Sequence, residues 1–425
     1  MLTLGVIADD FTGATDVASM LVRAGMRTVQ LIGVPDADRT PPPADAIVVA
    51  LKTRTIPPDT AVRESLAALA WLQHAGMRQC YFKYCSTFDS TPAGNIGPVT
   101  EALMDALDTD FTLACPAFPE NGRTVFRGHL FVGDTLLSDS GMRDHPLTPM
   151  RDANLVRVLQ AQTRRTVGLI RHDTIAQGVA AVQAQVAALR AGGAGIAIAD
   201  AIDNDALRTL AAAAADWPLV TAGSGLALGL PPAYAERGWV QPNSAAARLA
   251  PLTDARAALL CGSCSQATLA QVQAWRDGGR PALAIDPRAL ARGERVAEHA
   301  LAWATGQIAR EPVLIYASTP PQALRAVQDE LGAAHAGELV EACLAQIARA
   351  LVDDAGVQRL VVAGGETSGA IVNALRVDQL RIGAAICPGV PWTQAEGRSL
   401  HLALKSGNFG GPDFFAQALA QDPSI

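Results

Sequence analysis

The chain has 425 residues, of which 49% are hydrophobic and 18% are charged, and its formal net charge at pH 7 is −7. This length exceeds what one ordinary hydrophobic core accommodates, so two domains of roughly 200 residues each are expected. The acidic balance excludes broad nucleic-acid binding, because no basic face is available to displace the counterions of a phosphate backbone.

Apolar strand-like segments alternate with amphipathic or alanine-rich helical segments along the whole chain. The strands predicted in the first half are 2–8, 28–33, 46–51, 79–84, 112–117, 167–171, 195–199 and 219–222. The strands predicted in the second half are 257–262, 282–286, 313–317, 360–363, 385–388 and 401–405. Alternation of this kind is typical of parallel sheets covered by helices. We therefore predict the α/β class, with two α/β/α domains that contain largely parallel sheets.

A proline-bearing segment with few periodic apolar positions separates the two halves at 230–251. Such a composition is typical of a linker. We therefore predict a first domain over residues 1–240, a linker over 241–254 and a second domain over 255–425.

Three features of the sequence predict a cytoplasmic protein. The chain begins on the first predicted strand without a preceding basic segment, so no signal peptide is expected. The longest uncharged run, 217–235, contains prolines and glycines that argue against a membrane-spanning helix. The seven cysteines are spread thinly, which favours a reducing compartment. Cys261 and Cys264 have C-x-x-C spacing, but structural cysteines are favoured over a redox pair or half of a zinc site.

Two adjacent carboxylates, Asp9 and Asp10, directly follow the first predicted strand, and Asp16 lies in the helix after them. Ligands of open α/β sheets bind beyond the carboxyl ends of the strands. One of the two acids is expected to cap the helix, which is the structural alternative to a role in ligand binding. We expect Asp9 or Thr12 to take the capping role and Asp10 to face the ligand. The carboxylates would then bind sugar hydroxyls, accept a proton or hold magnesium.

Cationic and hydroxyl side chains follow other strands of the first half. They are Lys52 and Arg54 after the third strand, Lys83 at the end of the fourth, Ser86, Thr87 and Asp89 in the loop after it, and Arg123 in a later loop. A solvated loop is the alternative interpretation, but such loops rarely carry a lysine inside the strand. The pattern predicts a pocket for an anionic, hydroxylated small molecule.

Three loops rich in glycine and hydroxyl side chains follow strands of the second half, at 262–265, 364–369 and 405–411. Glycines let backbone N–H groups approach a phosphate, and a helix N-terminus adds a favourable dipole. The loop at 364–369 is neither a Walker A loop nor a dinucleotide fingerprint, and taken alone it is compatible with a simple tight turn. Convergence of three such loops on one end of the sheet predicts a shared nucleotide-binding cradle.

These segments together resemble the four-carbon acid sugar kinase family over essentially the whole chain. The matching motifs are ADDFTGA at 8–14, GGETSG at 364–369 and KSGNFG at 405–410. The segments 83–97 and 116–149 are most similar to the 3-oxo-tetronate kinase branch of that family.

The resemblance implies a first domain that binds the acid sugar, a second domain that binds ATP, and an active site in the cleft between them. It implies phosphoryl transfer to the C4 hydroxyl, with ATP and Mg²⁺ as cofactors. The ATP-binding residues implied are Ser263, Gly364, Gly365, Glu366, Thr367 and Gly407. A sugar hydroxyl needs a base as it attacks, and the candidates for this catalytic role are Asp10, Asp16 and Asp89. We favour Asp10 among them, and assign Asp9 and the cations to substrate binding.

Other functions fit part of the pattern. The substrate is alternatively D-threonate or D-erythronate. A different class of enzyme, a metal-dependent hydrolase or lyase of a phosphorylated sugar acid, would use Asp9 and Asp10 to hold its metal. A non-catalytic sensor of sugar acids is the third interpretation. The partners expected are a small sugar acid and ATP, without nucleic acid or membrane, and assembly into a homo-oligomer is left open.

Overall fold

The computed structural model describes residues 2–145, 147–253 and 255–424. Pro146, in the segment compared above with the 3-oxo-tetronate kinase branch, and Asp254, the last residue of the predicted linker, lie outside the described residues, as do the two terminal residues. The chain divides into two compact units, Met1–Ala247 and Arg248–Ile425, which we call the first and the second unit.

The first unit is built on a sheet whose strands alternate with helices along the chain. Its strands are β1 (Leu4–Ala8), β2 (Thr28–Ile32), β3 (Ala46–Ala50), β4 (Gln79–Lys83), β5 (Thr112–Cys115), β6 (Arg123–Phe126), β7 (His129–Val132), β8 (Thr135–Leu136), β9 (Thr166–Ile170), β10 (Ala194–Ala199) and β11 (Leu219–Ala222). Its helices are α1 (Phe11–Arg23), α2 (Pro58–His74), α3 (Ile96–Ala106), α4 (Leu155–Gln160), α5 (His172–Ile175), α6 (Val179–Ala191), α7 (Asn204–Ala214) and α8 (Leu230–Glu236).

The main sheet of the first unit has the strand order β2-β3-β1-β4-β11-β5-β10-β9, and its pairs are parallel. Strands β1, β3, β4 and β5 consist of buried residues throughout, as expected when helices cover both faces of a parallel sheet. Strand β1 lies between β3 and β4, with Ala8 paired to Ala50 and to Lys83. This register brings the segments after β1, β3 and β4 together at one end of the sheet.

The strands of the second unit are mostly parallel. Its strands are β12 (Arg256–Cys261), β13 (Ala282–Ala284), β14 (Val313–Tyr316), β15 (Val357–Ala363), β16 (Gln379–Cys387), β17 (Val390–Ala395) and β18 (His401–Lys405). Its helices are α9 (Gln266–Asp277), α10 (Pro287–Ala291), α11 (Val296–Gln307), α12 (Pro321–Leu331), α13 (Ala333–Asp353), α14 (Gly365–Ala374) and α15 (Phe414–Ala420). The strand order is β13-β14-β12-β15-β18-β17-β16, in which β17 is antiparallel to both of its neighbours. Trp275, Trp392, Phe414 and Phe415 contribute large rings to its core.

The predicted class and the largely parallel sheets are confirmed, and every strand segment predicted above overlaps an observed strand. The small antiparallel sheet β6-β7-β8 and strand β17 were not predicted. The prediction for β16 covers only its last residues, since the strand begins at Gln379. Within the described ranges, no helix is long and apolar enough to cross a membrane.

Candidate active site

Asp9, the first residue after β1, organises the charged end of the first unit's sheet. Its backbone carbonyl accepts from the N–H groups of Thr53 at 2.9 Å and Arg54 at 3.2 Å, which draws the segment after β3 towards β1. Its carboxylate accepts from Arg54 Nε at 2.9 Å and from Nη2 at 2.8 Å. Burial raises the pKa of Asp9 above its ordinary value, although the guanidinium opposes this shift.

Asp10 caps helix α1, which corrects our expectation that Asp9 or Thr12 would do so. Its Oδ1 accepts from the N–H of Gly13 at 3.1 Å, and its Oδ2 accepts from the hydroxyl of Thr12 at 2.9 Å. Asp10 has the extended φ and ψ typical of an N-cap, and Asp9 still belongs to the segment leaving β1. Capping does not remove Asp10 from the charged cluster, since Arg54 Nη2 also donates to its Oδ1 at 2.6 Å.

Lys83 and Asp89 complete this cluster. The Nζ of Lys83, a buried residue at the end of β4, lies 3.6 Å from Oδ1 of Asp10. Burial alone would raise the pKa of Asp10, but Arg54 and Lys83 hold it at about 2. Asp89 accepts a 2.5 Å hydrogen bond from the hydroxyl of Thr87, and its Oδ2 lies 3.8 Å from Arg54 Nη1.

Asp16 is a buried carboxylate on helix α1, with only 5% of its surface exposed. Its Oδ1 has no hydrogen-bond partner among the described residues. Burial raises the pKa of Asp16 to about 6, against the opposing effects of Lys83, of the neighbouring Ser224 hydroxyl and of Arg123. Such a carboxylate is well suited to exchange a proton near neutral pH.

The remaining predicted residues of the first unit, Arg123, Lys52 and Ser86, differ in how far they are exposed to solvent. Arg123 begins β6 and donates from Nη1 to the carbonyl of Asn121, while its buried Nε and the Nδ2 of Asn121 have no partner in the described part of the chain. Lys52 is exposed. Ser86 is half-buried in the loop after β4. A small cleft beside the charged cluster is lined by Asp9, Thr53, Arg54, Phe82, Asp89, Asn95, Ile96 and Val99.

In the second unit, the three glycine-containing loops meet, as predicted. A Cβ added to Gly262 would collide with the hydroxyl of Thr367, and one added to Gly407 would collide with the hydroxyl of Ser263. The hydroxyl of Ser265 donates to the carbonyl of Gly407 at 2.5 Å. The loops therefore approach so closely that a side chain at Gly262 or Gly407 would collide with a neighbouring loop. The N–H groups of Gly262 and Gly364 donate to the carbonyls of Ala363 and Lys405, at 3.1 and 2.9 Å, and these two bonds link the loops to one another.

Helix α14 begins at Gly365, five residues before the predicted start, so the residues 365–369 of the motif form its first turns. Gly364 precedes the helix with φ of 131°, a conformation that favours glycine. The free N–H groups of a helix N-terminus attract anions. Glu366 and Thr367 lie in this first turn, and Thr367 is buried.

Side chains to which the sequence analysis assigned no role hold the last loop, 406–411. They are Ser265, the N-cap of helix α9, Thr268 and Gln271 on that helix, and Lys405 at the end of β18. The three-residue spacing of Ser265, Thr268 and Gln271 places them on one face of α9. This spacing was the available signal, but without the fold nothing indicated that the face contacts the loop.

Comparisons with known proteins agree with a charged site in the first unit and an anion-binding site in the second. Residues 4–230 match the family model described as a sugar-binding N-terminal domain, and residues 258–415 match that of a nucleotide-binding C-terminal domain. The chain belongs to the four-carbon acid sugar kinase family.

Its relatives include two 3-oxo-tetronate kinases. That of Cupriavidus necator is 60% identical over 421 residues, which are 98% of this chain and 96% of the relative. That of Pseudomonas fluorescens is 61% identical over 420 residues, again 98% and 96%. The crystal structure of a Salmonella typhimurium protein has a TM-score of 0.87 and 45% identity, covering 99% of this chain and 100% of that one.

Proposed function

We propose that the protein is an ATP-dependent 3-oxo-tetronate kinase, which transfers the γ-phosphoryl group of ATP to the C4 hydroxyl of its substrate. The observation that carries this proposal is the meeting of the three loops around Gly262, Gly364 and Gly407 at the N-terminus of helix α14, whose first amides lack helical acceptors. The choice of substrate is supported by identity of 60% and 61% to the two 3-oxo-tetronate kinases over nearly the full chain.

The nucleotide is expected to bind through Ser263, the turn from Gly364 to Thr367, and Gly407. The amides of the α14 N-terminus would receive the phosphates, because they lack helical acceptors. Mg²⁺ normally takes most of its ligands from phosphate oxygens and water and only one or two from carboxylates. Glu366, in the first turn of α14, is the carboxylate that we propose for it.

The sugar acid is expected to bind at the charged cluster of the first unit. Arg54 is already engaged by Asp9 and Asp10, so the substrate carboxylate needs other donors. Arg123 Nε and Asn121 Nδ2 are buried and unpartnered within the described ranges, and we assign them to this role. Lys83 balances the local negative charge.

For the base that accepts the proton of the C4 hydroxyl, we propose Asp16 rather than Asp10. Asp10 has a pKa of about 2, because two cations stabilise its charged form, and such a carboxylate is a weak base. Asp16 has a pKa of about 6 and an oxygen without a partner among the residues described. Asp89 is less suited, since Thr87 already donates to it.

The rival hydrolase or lyase needs a protein-bound metal. The described residues contain no group of three or more acidic, histidine or cysteine side chains able to hold one. Around Asp9 and Asp10 the positive charge comes instead from Arg54 and Lys83. This arrangement favours binding of an organic substrate over a resident metal at this position.

A coupled assay of ADP release tests the proposed function. The substrates are 3-oxo-tetronates, D-threonate and D-erythronate, each at the same Mg-ATP concentration. We expect the highest kcat/KM with a 3-oxo-tetronate. Faster turnover of threonate or erythronate would move the protein to another branch of the family. No ADP release by folded protein with any of the substrates would contradict the kinase function.

A further inference from the structure

Lys405 is a fully buried lysine at the end of β18. Its Nζ donates to the carbonyls of Ser406 and Gly407, both at 2.9 Å, and to the hydroxyl of Thr268 at 3.1 Å. All three donors of the ammonium are thus used. Within the described ranges, however, no carboxylate forms an ion pair with it, and this is unusual for a buried charge.

The elements packed around Lys405 supply no negative charge in its place. The titratable groups that interact with it are the thiols of Cys261 on β12 and Cys387 on β16. Helix α9 contributes the hydroxyl of Thr268, and α15 contributes the ring of Phe414, whose centroid lies 5.9 Å from Nζ. Burial without a counter-charge lowers the pKa of Lys405 to about 8.

The contacts of Lys405 belong to a larger set that turns the carbonyls of the 406–411 loop inward. The carbonyl of Gly407 also accepts from the hydroxyls of Ser265 at 2.5 Å and Thr268 at 3.0 Å. The Nε2 of Gln271 lies 3.0, 3.0 and 3.1 Å from three successive carbonyls further along the loop, which share its two N–H donors. Each of these carbonyls is therefore held by a side chain, and the backbone N–H groups of Phe409 and Phe414 also donate to the carbonyls of Ser406 and Gly411, at 3.2 and 3.1 Å.

Because the peptide bond is planar, the inward orientation of these carbonyls also fixes the orientation of the N–H groups that follow them. In a trans peptide, the C=O of one residue and the N–H of the next point to opposite sides. The inward carbonyls of Ser406 and Gly407 consequently turn the N–H groups of Gly407 and Asn408 away from Lys405. Neither of these N–H groups has a hydrogen-bond acceptor among the residues that the structure describes. Two successive unpaired amides are a typical anion-binding arrangement.

We propose that Lys405 is a positioning residue of the nucleotide site, whose ammonium orients the Gly407 and Asn408 amides towards phosphate and receives its counter-charge from the bound nucleotide. This inference rests on the proposed kinase function, and it adds that the bound phosphate supplies the negative charge that balances the buried ammonium.

A measurable consequence is proton uptake on nucleotide binding. An approaching anion favours the charged form of a lysine, so binding raises its pKa. At pH 8.5 the free protein has Lys405 mostly neutral, because this pH lies above its pKa of about 8. Binding then takes up on the order of half a proton or more. At pH 6.5 the lysine is already protonated, and it takes up none.

Calorimetric titration of the full chain with Mg-ADP, in two buffers of different ionisation enthalpy, measures this uptake. At pH 8.5 the terminal phosphate contributes little, because a phosphate monoester has its second pKa at about 6. We expect uptake at pH 8.5 in the wild type and in Cys387→Ser, which serves as a matched control for the neighbouring thiol. Lys405→Arg should retain binding without uptake, since arginine stays protonated. Lys405→Met should weaken ADP binding roughly tenfold or more.

The possible results separate the inference from the function on which it rests. Binding of ADP by the wild type without uptake at pH 8.5, or equal uptake in Lys405→Arg, would overturn the inference alone. No binding of ADP by the wild type at either pH would overturn the proposed function together with it. Circular dichroism and the midpoint of thermal unfolding establish that each variant is folded, and the wild-type titration tests the inference even where Lys405→Met does not fold.

Discussion

The Nη2 atom of Arg54 lies 2.6 Å from the Oδ1 atom of Asp10. The same oxygen caps helix α1 through the N–H of Gly13. One carboxylate therefore joins the start of a helix to the segment after a neighbouring strand. Because this carboxylate is held by a cation and by a backbone amide, its proton affinity is low, and this distinguishes it from Asp16 on the same helix.

Asp10→Asn is expected to act mainly on substrate binding. Asparagine is as good an N-cap as aspartate, so helix α1 should form normally. The loss of one negative charge changes the positions of Arg54 and Lys83, and we expect the KM for the sugar acid to rise roughly tenfold with kcat less affected. Steady-state kinetics measure both constants. A fall in kcat of a hundredfold with an unchanged sugar KM would return the role of base to Asp10.

Asp16→Asn is expected to lower kcat roughly a hundredfold or more, with little change in the KM for ATP. The base must be deprotonated to act, so the wild-type kcat/KM for the sugar acid should rise with pH through about 6, the pKa of Asp16. The variant should lose this limb of the profile. Asp59→Asn, at an exposed position in the first turn of α2, is the matched control and should leave both constants unchanged.

The same substitution should stabilise the protein at pH 8. Because the folded-state pKa of Asp16 is raised from 3.8 to about 6, the folded protein binds more protons than the unfolded chain between these values. Its contribution to stability is present below about pH 4 and is lost as the pH rises through 6. Asp16→Asn avoids this loss, so the gain in unfolding free energy should be about 1–3 kcal/mol at pH 8 and about half as large at pH 5. Urea unfolding at the two pH values measures it, and an equal gain at both would contradict the assignment.

Arg54→Met should lower the free energy of unfolding by about 2–4 kcal/mol, because it leaves two adjacent, largely buried carboxylates without their guanidinium. In the double variant Arg54→Met/Asp10→Asn, one of these carboxylates is neutral, and the loss should be smaller than the sum of the single losses by more than about 1 kcal/mol. Urea unfolding of the four proteins gives this coupling. Arg63→Met, at an exposed position on α2, should change stability by less than about 0.5 kcal/mol. Additive losses would indicate that Arg54 and Asp10 act independently.

Gly365→Val should raise the KM for ATP roughly tenfold or more while the protein remains folded. Gly365 is the first residue of α14 and has ordinary helical conformation, so a β-branched residue is sterically allowed in the backbone. The added side chain would lie at the helix N-terminus, where phosphate must approach the amides. Gly306→Val, on α11 with no atom within 4 Å of the added Cβ, is the matched control. Normal ATP binding by Gly365→Val would place the cradle elsewhere.

The position of the charged cluster could be predicted from the sequence, because strand register follows from parallel pairing. Lys83 and the segment after Ala8 end neighbouring strands, so their proximity required only the correct strands and the rule that ligands bind at their carboxyl ends. The capping residue could not be predicted. Asp9 and Asp10 differ only in which of them lies directly before the helix, and this depends on the residue at which β1 ends.

Burial was the other quantity that the sequence did not reveal. Lys405 was visible within its motif, but a lysine next to a glycine-rich loop is ordinarily exposed, and its lack of a carboxylate partner appears only in the folded chain. Strands β6 to β8 were missed for a related reason. They are short and half-exposed, so they lack the continuous apolar runs by which buried parallel strands are recognised.

Ser265, Thr268 and Gln271 contact the 406–411 loop only because they lie on one face of α9, so the number of residues between them matters as much as their identity. An α-helix turns by about 100° per residue, so one residue inserted between Ser265 and Gln271 would rotate the Gln271 amide away from the three carbonyls that it holds. Exchange of side chains on the outer face of α9 leaves this alignment intact. During divergence, the segment from Ser265 to Gln271 should therefore accept replacements on its outer face but neither insertions nor deletions.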